Sequence, residues 1–191
     1  MKYESDLRLV TILRIGHRIN RDKRITTHLA LVARAFGAVK IIIAGDEDKK
    51  LLATIRQVNL EWGGNFCLEM ISYDKWRTFI EQWRRNSDNK IIHLTMYGEN
   101  LSIFEKSKDF ANMKKGLENL LVVVGGKKIP SKIFQYADWN IAISNQPHSE
   151  VSSLAVFLDH LNPKSLQIQF NNAYKQIVPS LKGKKEFWKI K

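Results

Sequence analysis

The stretch ITTHLALVARAFGAVKIIIAGDEDKK, residues 25–50, holds three successive signals. In its first third Leu29, Val32, Ala33 and Phe36 recur at i, i+3, i+4 and i+7, which is one face of a helix running from about Ile25 to Phe36. Gly37 follows as a natural helix stop. Val39 to Ala44, VKIIIA, is a short apolar run of the length expected for a strand covered on both faces, as in a parallel sheet. Asp46, Glu47 and Asp48 then open a second helix over 46–61, where carboxylates meet the positive end of the helix dipole. Helix, buried strand and helix within 26 residues is the signature of an α/β unit.

The same alternation extends in both directions. Upstream, Arg8 to Ile15 (RLVTILRI) is a strand leading into Gly16 and a polar run. Downstream, strands are expected at Phe66–Ile71, Ile91–Met96, Leu120–Val124 and Ile141–Ser144. Helices are expected at Asp74–Arg85, Ser149–Leu161 and Pro163–Ile177, with Pro179 ending the last. The fold class is therefore α/β, a mostly parallel sheet flanked by helices. The sequence divides into one domain over 1–161 and a C-terminal helix with a basic tail over 162–191, starting at Asn162-Pro163.

The chain has 191 residues, 44% of them apolar, enough to fill one core. Five Trp, nine Phe and the aliphatic runs exclude intrinsic disorder. The longest aliphatic stretch, Leu120–Val124, is far below the roughly 18 residues of a membrane span. The first residues, MKYESDLRLV, lack the apolar core of a signal peptide, and Cys67 is the sole cysteine. Both features fit a reducing cytoplasm, with no disulfide framework and no cysteine metal cluster.

The formal charge of +12 is concentrated at the two ends. Residues 1–40 contain nine basic and three acidic side chains, and residues 164–191 contain seven and one. The middle, with fifteen of each, is neutral. A neutral body with two basic ends suits a polyanionic partner, although solubility alone would also explain a basic surface.

In parallel sheets, ligands bind beyond the carboxyl ends of the strands. Three such ends carry unusual loops: HLTMYGEN (93–100), VGGKKIP (124–130) and SNQPHSEV (144–151). Gly125-Gly126 would let a backbone approach a ligand closely, yet a lone Gly-Gly is more often a plain turn. Neither the GxGxxG fingerprint nor a Walker A sequence occurs. In the third loop, a helix N-cap accounts for Ser149 but leaves Asn145, Gln146 and His148 unexplained. Upstream, Arg14, Arg18, Arg21, Lys23 and Arg24 fall within eleven positions with only Asp22 to balance them. Arginines at a helix start are a natural phosphate site.

Taken together, LRIGHRINRDKRITTH (13–28), the VGGKKIP loop and DWNIAISNQPHSEVSSLAVFLDHL (138–161) resemble the archaeal tRNA cytidine-56 2′-O-methyltransferase family of the SPOUT class. HLTMYG (93–98) and FNNAYKQIVP (170–179) extend the resemblance over most of the chain. It implies an S-adenosylmethionine enzyme that methylates a ribose hydroxyl in the TΨC loop of tRNA. It also implies a trefoil knot in the C-terminal part of the α/β domain, a homodimer with the active site at the subunit interface, and no metal. The implied cofactor pocket comprises Leu94, the loop Gly125, Gly126, Lys127, Lys128 and Ile129, and the segment Ser144, Asn145, Gln146, Pro147, His148, Ser149, Glu150 and Val151.

For catalysis the first motif should supply an arginine. The wider class places it inside the helix that ends in an AFG-like sequence, but here THLALVARAFG (27–37) has Leu31 at the comparable position. Arg24 is therefore the first choice, followed by Arg21 and Arg18. Where the wider class favours Glu after the third motif's Asn, this chain has Gln146. An arginine, with a pKa above about 12, suits electrostatic stabilisation better than proton abstraction, so His28 or His148 is the candidate proton acceptor. Contacts to RNA are expected from Arg14, Lys23, Lys175, Lys182, Lys184 and Lys185. The competing readings are a SPOUT enzyme acting on another nucleotide or a base nitrogen, and an RNA-binding module without catalysis.

Overall fold

The structure, a computed structural model, describes residues 10–116, 118–126 and 129–188; Arg8 and Leu9 of the expected first strand, and Lys127 and Lys128, lie outside them. In chain order the elements begin with strand β1 (Val10–His17), helix α1 (Ile19–Ala35), β2 (Lys40–Gly45), α2 (Lys49–Trp62) and β3 (Cys67–Ile71). A 3-10 turn leads into α3 (Trp76–Trp83), followed by β4 (Asn89–Asn100), α4 (Leu101–Phe104), α5 (Lys108–Lys114) and β5 (Asn119–Gly125). Then come α6 (Ile133–Tyr136), β6 (Trp139–Ala142), α7 (Glu150–Leu161), β7 (Lys175–Ile177) and β8 (Glu186–Trp188).

Six strands form one sheet in the order β3-β2-β1-β5-β4-β6, and every neighbouring pair is parallel. Parallel strands covered on both faces favour apolar residues at successive positions, and β2 and β5 have them over 41–44 and 120–124. Ile41 and Ile43 of β2 join the core beneath α1, α2 and α7, while Ile42 and Ala44 join the core on the other face, beneath α3 and α6. β5 divides in the same way, with Leu120, Val122 and Val124 on one side and Leu121 and Val123 on the other. Burying each such side chain contributes about 1.5–3 kcal/mol.

Helix α1 starts six residues before the apolar face predicts. Its first turns, INRDKR, have no core contact to advertise them, and capping takes its place: the Asp22 carboxylate accepts the Arg18 N–H, and Asp46 accepts that of Ile19. Asp48 caps α2 by accepting the Leu51 N–H at 3.0 Å. The short helices α4, α5 and α6 are additions to the sequence reading.

The expected helix over 163–177 is not formed. Ser165–Gln167 make a 3-10 turn, Asn172 takes a positive φ of 59°, and Lys175–Ile177 pair antiparallel with Glu186–Trp188. Asparagine tolerates that left-handed backbone, which interrupts a helix. The extension is then tied to α2 through Gly64 N–H to Asn171 O and Tyr174 N–H to Glu61 O. Among the described residues no helix is long and apolar enough to cross a membrane.

Candidate active site

The three unusual loops converge. The end of β4, residues Gly125, Gly126 and Ile129, and the segment leading into α7 enclose a cleft of about 560 Å³ at the carboxyl edge of the sheet. Leu94, Val124 and Ile129 give it apolar walls; Gly126, Pro147, His148, Ser149 and Glu150 give it a polar rim; Ile25 of α1 closes one side.

Local chemistry holds each wall. The Asn145 amide donates to the carbonyls of Met96 (2.8 Å) and Gly98 (3.2 Å), so it binds the third loop to the first. Ser149 caps α7 by accepting the Val151 N–H, and the Ser144 hydroxyl accepts the Gln146 N–H. His148 Nδ1 lies 2.6 Å from the Gln146 carbonyl. A carbonyl only accepts, so Nδ1 is the donor of this pair, and Nε2 makes no hydrogen bond among the described residues.

The two glycines of the second loop differ. A Cβ on Gly125 would stand 2.8 Å from Ile129 Cγ1 and 3.0 Å from the Ile15 carbonyl, so packing alone demands glycine there. On Gly126 it would meet only Glu150 Oε2, at 3.9 Å. Protein packing leaves Gly126 uncrowded, and its bare backbone borders the cleft, as close approach by a ligand requires.

Beneath the rim lies a buried ion pair. Arg14, only 1% exposed, donates from Nε (3.2 Å) and Nη2 (2.8 Å) to Glu150 Oε1. This locks α7 to β1 at the cleft floor. On the α1 side Arg18 is paired with Asp22 at 3.0 Å, whereas Arg21, Lys23 and Arg24 are exposed and make no ion pair among the described residues. Burial works to raise the Asp22 pKa, but hydrogen bonds from Arg18 and the charges of Arg14 and Arg18 prevail and lower it. Arg21 lies one turn before Ile25 on the same helical stripe, and Arg24 immediately precedes it.

Two buried histidines flank the site. His17 sits against Thr26 Oγ1 at 2.9 Å and 3.7 Å from the Asp48 carboxylate; burial, then the Arg14 charge, lowers its pKa. His93, in the cleft wall, lies 2.9 Å from Asn140 Oδ1, and burial lowers its pKa as well. A smaller cavity of about 280 Å³ near the end of α1, between Trp62 and Phe170, is a seam whose cations are already engaged. Arg34 donates to Gly63 O and Asn59, and Lys175 pairs with Glu61 at 2.7 Å. No group of three or more His, Cys, Asp or Glu among the described residues could hold a metal ion.

Comparison with known proteins gives the family. Residues 62–187 match the family described as tRNA ribose 2′-O-methyltransferase, aTrm56. A Thermococcus kodakarensis tRNA (cytidine(56)-2′-O)-methyltransferase is 46% identical over 93% of this chain and 96% of its own. Its Methanopyrus kandleri counterpart is 45% identical over 91% and 93%. The chain belongs to the tRNA ribose 2′-O-methyltransferase family. Among solved structures, the SpoU methyltransferase AviRb from Streptomyces viridochromogenes in complex with AdoMet superposes with a TM-score of 0.53 at 12% identity. The overlap covers 81% of this chain and 57% of that one, and it supports the SPOUT-type fold.

In this methyltransferase the expected cofactor residues separate into wall and support. Leu94, Gly125, Gly126, Ile129, Pro147, His148, Ser149 and Glu150 line the cleft. Asn145, with Ser144 and Gln146, shapes the third loop from behind; Val151 packs against the core. Two of the expected RNA contacts are engaged within the fold. Arg14 is buried against Glu150, and Lys175 is paired with Glu61. Lys23, Lys182, Lys184 and Lys185 are exposed. The sequence reading missed His17, His93 and Tyr97. A signal for the first existed, because His17 directly follows the strand and glycine that begin the first motif.

Proposed function

We propose that this chain methylates the ribose 2′-hydroxyl of cytidine 56 in tRNA, the position named for its relatives, with S-adenosylmethionine as donor. The observation that carries the reading is the meeting of the three motif loops and Ile25 of α1 around one cleft. Its volume is within the ~300–1,000 Å³ of small-molecule sites. The uncrowded backbone at Gly126 and the apolar Leu94 and Ile129 suit an adenosine, and the polar rim suits its ribose. When bound, S-adenosylmethionine supplies a methyl group already activated on a sulfonium.

The chain's own residues have three tasks. The cleft walls align the hydroxyl oxygen with the methyl carbon. An arginine of α1 stabilises the developing oxyanion and grips the neighbouring phosphate. Arg24 and Arg21, which border Ile25 and carry no carboxylate partner among the described residues, are better placed for this than Arg18, whose charge Asp22 already engages. The hydroxyl proton passes to a neutral imidazole, and His148 Nε2, with its lone pair at the rim, is our first choice over His28 on α1. The family resemblance further supports a knot made by the cleft loops, a homodimer completing the site, and action in the cytoplasm. The Asn145 clamp between the third and first loops is consistent with such a knot.

Incubation with labelled cofactor and a tRNA transcript, followed by mapping of the methyl group, tests the reading. A 2′-O-methyl at position 56 is expected. Methylation of a transcript bearing 2′-deoxycytidine there would overturn ribose chemistry in favour of a base nitrogen. Heat of cofactor binding in calorimetry distinguishes the enzyme from a plain RNA-binding module, which would show none.

A further inference from the structure

Tyr97 is the most exposed aromatic side chain among the described residues, at 77%, and it borders the cleft. Its backbone, by contrast, is fixed on both sides. The pairing of β4 with β6 shifts register between Leu94 and Glu99, so the intervening residues bulge from the sheet. Asn145 holds the carbonyls immediately before and after Tyr97. Gly98 is pressed so closely to β6 that a Cβ there would stand 2.3 Å from the Asn140 carbonyl. The Tyr97 ring makes no ring contact and its hydroxyl no hydrogen bond among the described residues. A large aromatic held on an immobilised bulge and left in water at a site's mouth is built to meet a partner.

The chemistry of the cleft indicates which partner. Ribose methylation leaves the base unaltered, so the base is free to serve as a handle for placing the 2′-hydroxyl. A nucleotide whose sugar enters a cleft this size must leave its stack, and unstacked bases are held on aromatic rings. We propose that Tyr97 is the stacking platform for the pyrimidine of the target nucleotide. The inference rests on the proposed function above and adds a base subsite to it. Stacking accepts any base, so Tyr97 fixes the placement of the nucleotide and not its identity.

The test is single-turnover methylation by Tyr97→Ala and Tyr97→Trp enzymes, on intact tRNA and on tRNA carrying an abasic ribose at the target. The ring is exposed, so both variants should melt at the wild-type temperature. Tyr97→Ala is expected to lower kcat/KM on intact tRNA by about 5- to 150-fold, the range that base–aromatic stacking confers, while Tyr97→Trp retains activity. On abasic tRNA, wild type and Tyr97→Ala should be equally slow. An equal penalty for Tyr97→Ala on both substrates, no penalty on either, or weakened cofactor binding without tRNA would overturn the subsite. Failure of the unaltered enzyme to methylate any ribose would instead overturn the underlying function, and needs no variant to be seen.

Discussion

The pair formed by Arg14 and Glu150 shows how one residue can serve structure where sequence suggests binding. Arg14 belongs to a run of cations, yet it shares strand parity with Val10 and Ile12, whose side chains enter the core under α1 and α7. Period two sends it inward, and the parity was legible once the strand was recognised. Glu150→Ala leaves a buried guanidinium without its carboxylate, which should cost about 3–5 kcal/mol, or roughly 6–20 °C in Tm for a chain of this size. Replacing both partners with Met and Leu should cost less, and thermal melting checks both expectations. His93 makes a second prediction. Its pKa is lower in the fold than in the unfolded chain, so below about pH 6.5 the unfolded state takes up protons that the native state refuses. Stability should be fully present above that pH and decline as pH falls through it. His93→Gln should flatten this dependence, and an unchanged slope of stability between pH 7.5 and 5.5 would assign it entirely to other groups, His17 among them.

At the scale of elements, the strands were legible because burial on both faces writes itself as uninterrupted β-branched and aliphatic residues, and β2 and β5 match the reading to within two residues. The start of α1 was not, because polar caps rather than an apolar stripe define it. The β7–β8 hairpin was hidden for another reason: its first strand depends on a positive φ at Asn172 and on bonds to Gly64 and Glu61, more than a hundred residues away in sequence. Likewise the three loops were recognisable as unusual, but the bulge that exposes Tyr97 arises only when β4 pairs with β6. The glycines of these loops allow a paired test. Gly98→Ala must displace the Asn140 carbonyl or the bulge itself, so it should destabilise the fold by about 1–3 kcal/mol and weaken cofactor binding as the Asn145 clamp loosens. Gly126→Ala meets nothing closer than 3.9 Å and should melt as wild type does, yet bind the cofactor less tightly in calorimetry. Equal binding by the Gly126 variant would remove that backbone from the cofactor's contact surface.

Over the whole molecule, charge divides by task in a way that composition alone conceals. The acidic and basic residues of the middle balance, and there the cleft is formed. Of the cations in the first motif, Arg14 is buried, Arg18 is paired, and Arg21, Lys23 and Arg24 are exposed with no ion pair among the described residues. Of the C-terminal ones, Lys175 supports the hairpin through Glu61. Lys182, Lys184 and Lys185 occupy the connection between β7 and β8 with no carboxylate paired to them among the described residues. Three exposed cations on one short loop, none of them lining the cleft, suit docking of a phosphate backbone. The hairpin itself should survive their neutralisation, because Trp188 packs on Tyr174 and its ring lies 4.6 Å from Lys175 Nζ. Substituting all three lysines by Gln should therefore leave the melting temperature and cofactor affinity unchanged while weakening tRNA binding. The plot of log K against log salt should become shallower by about 2–3, since each lost phosphate contact removes roughly 0.7–0.9 from the slope. An unaltered slope would show that tRNA does not use this loop, and its charge would then be explained by solubility alone.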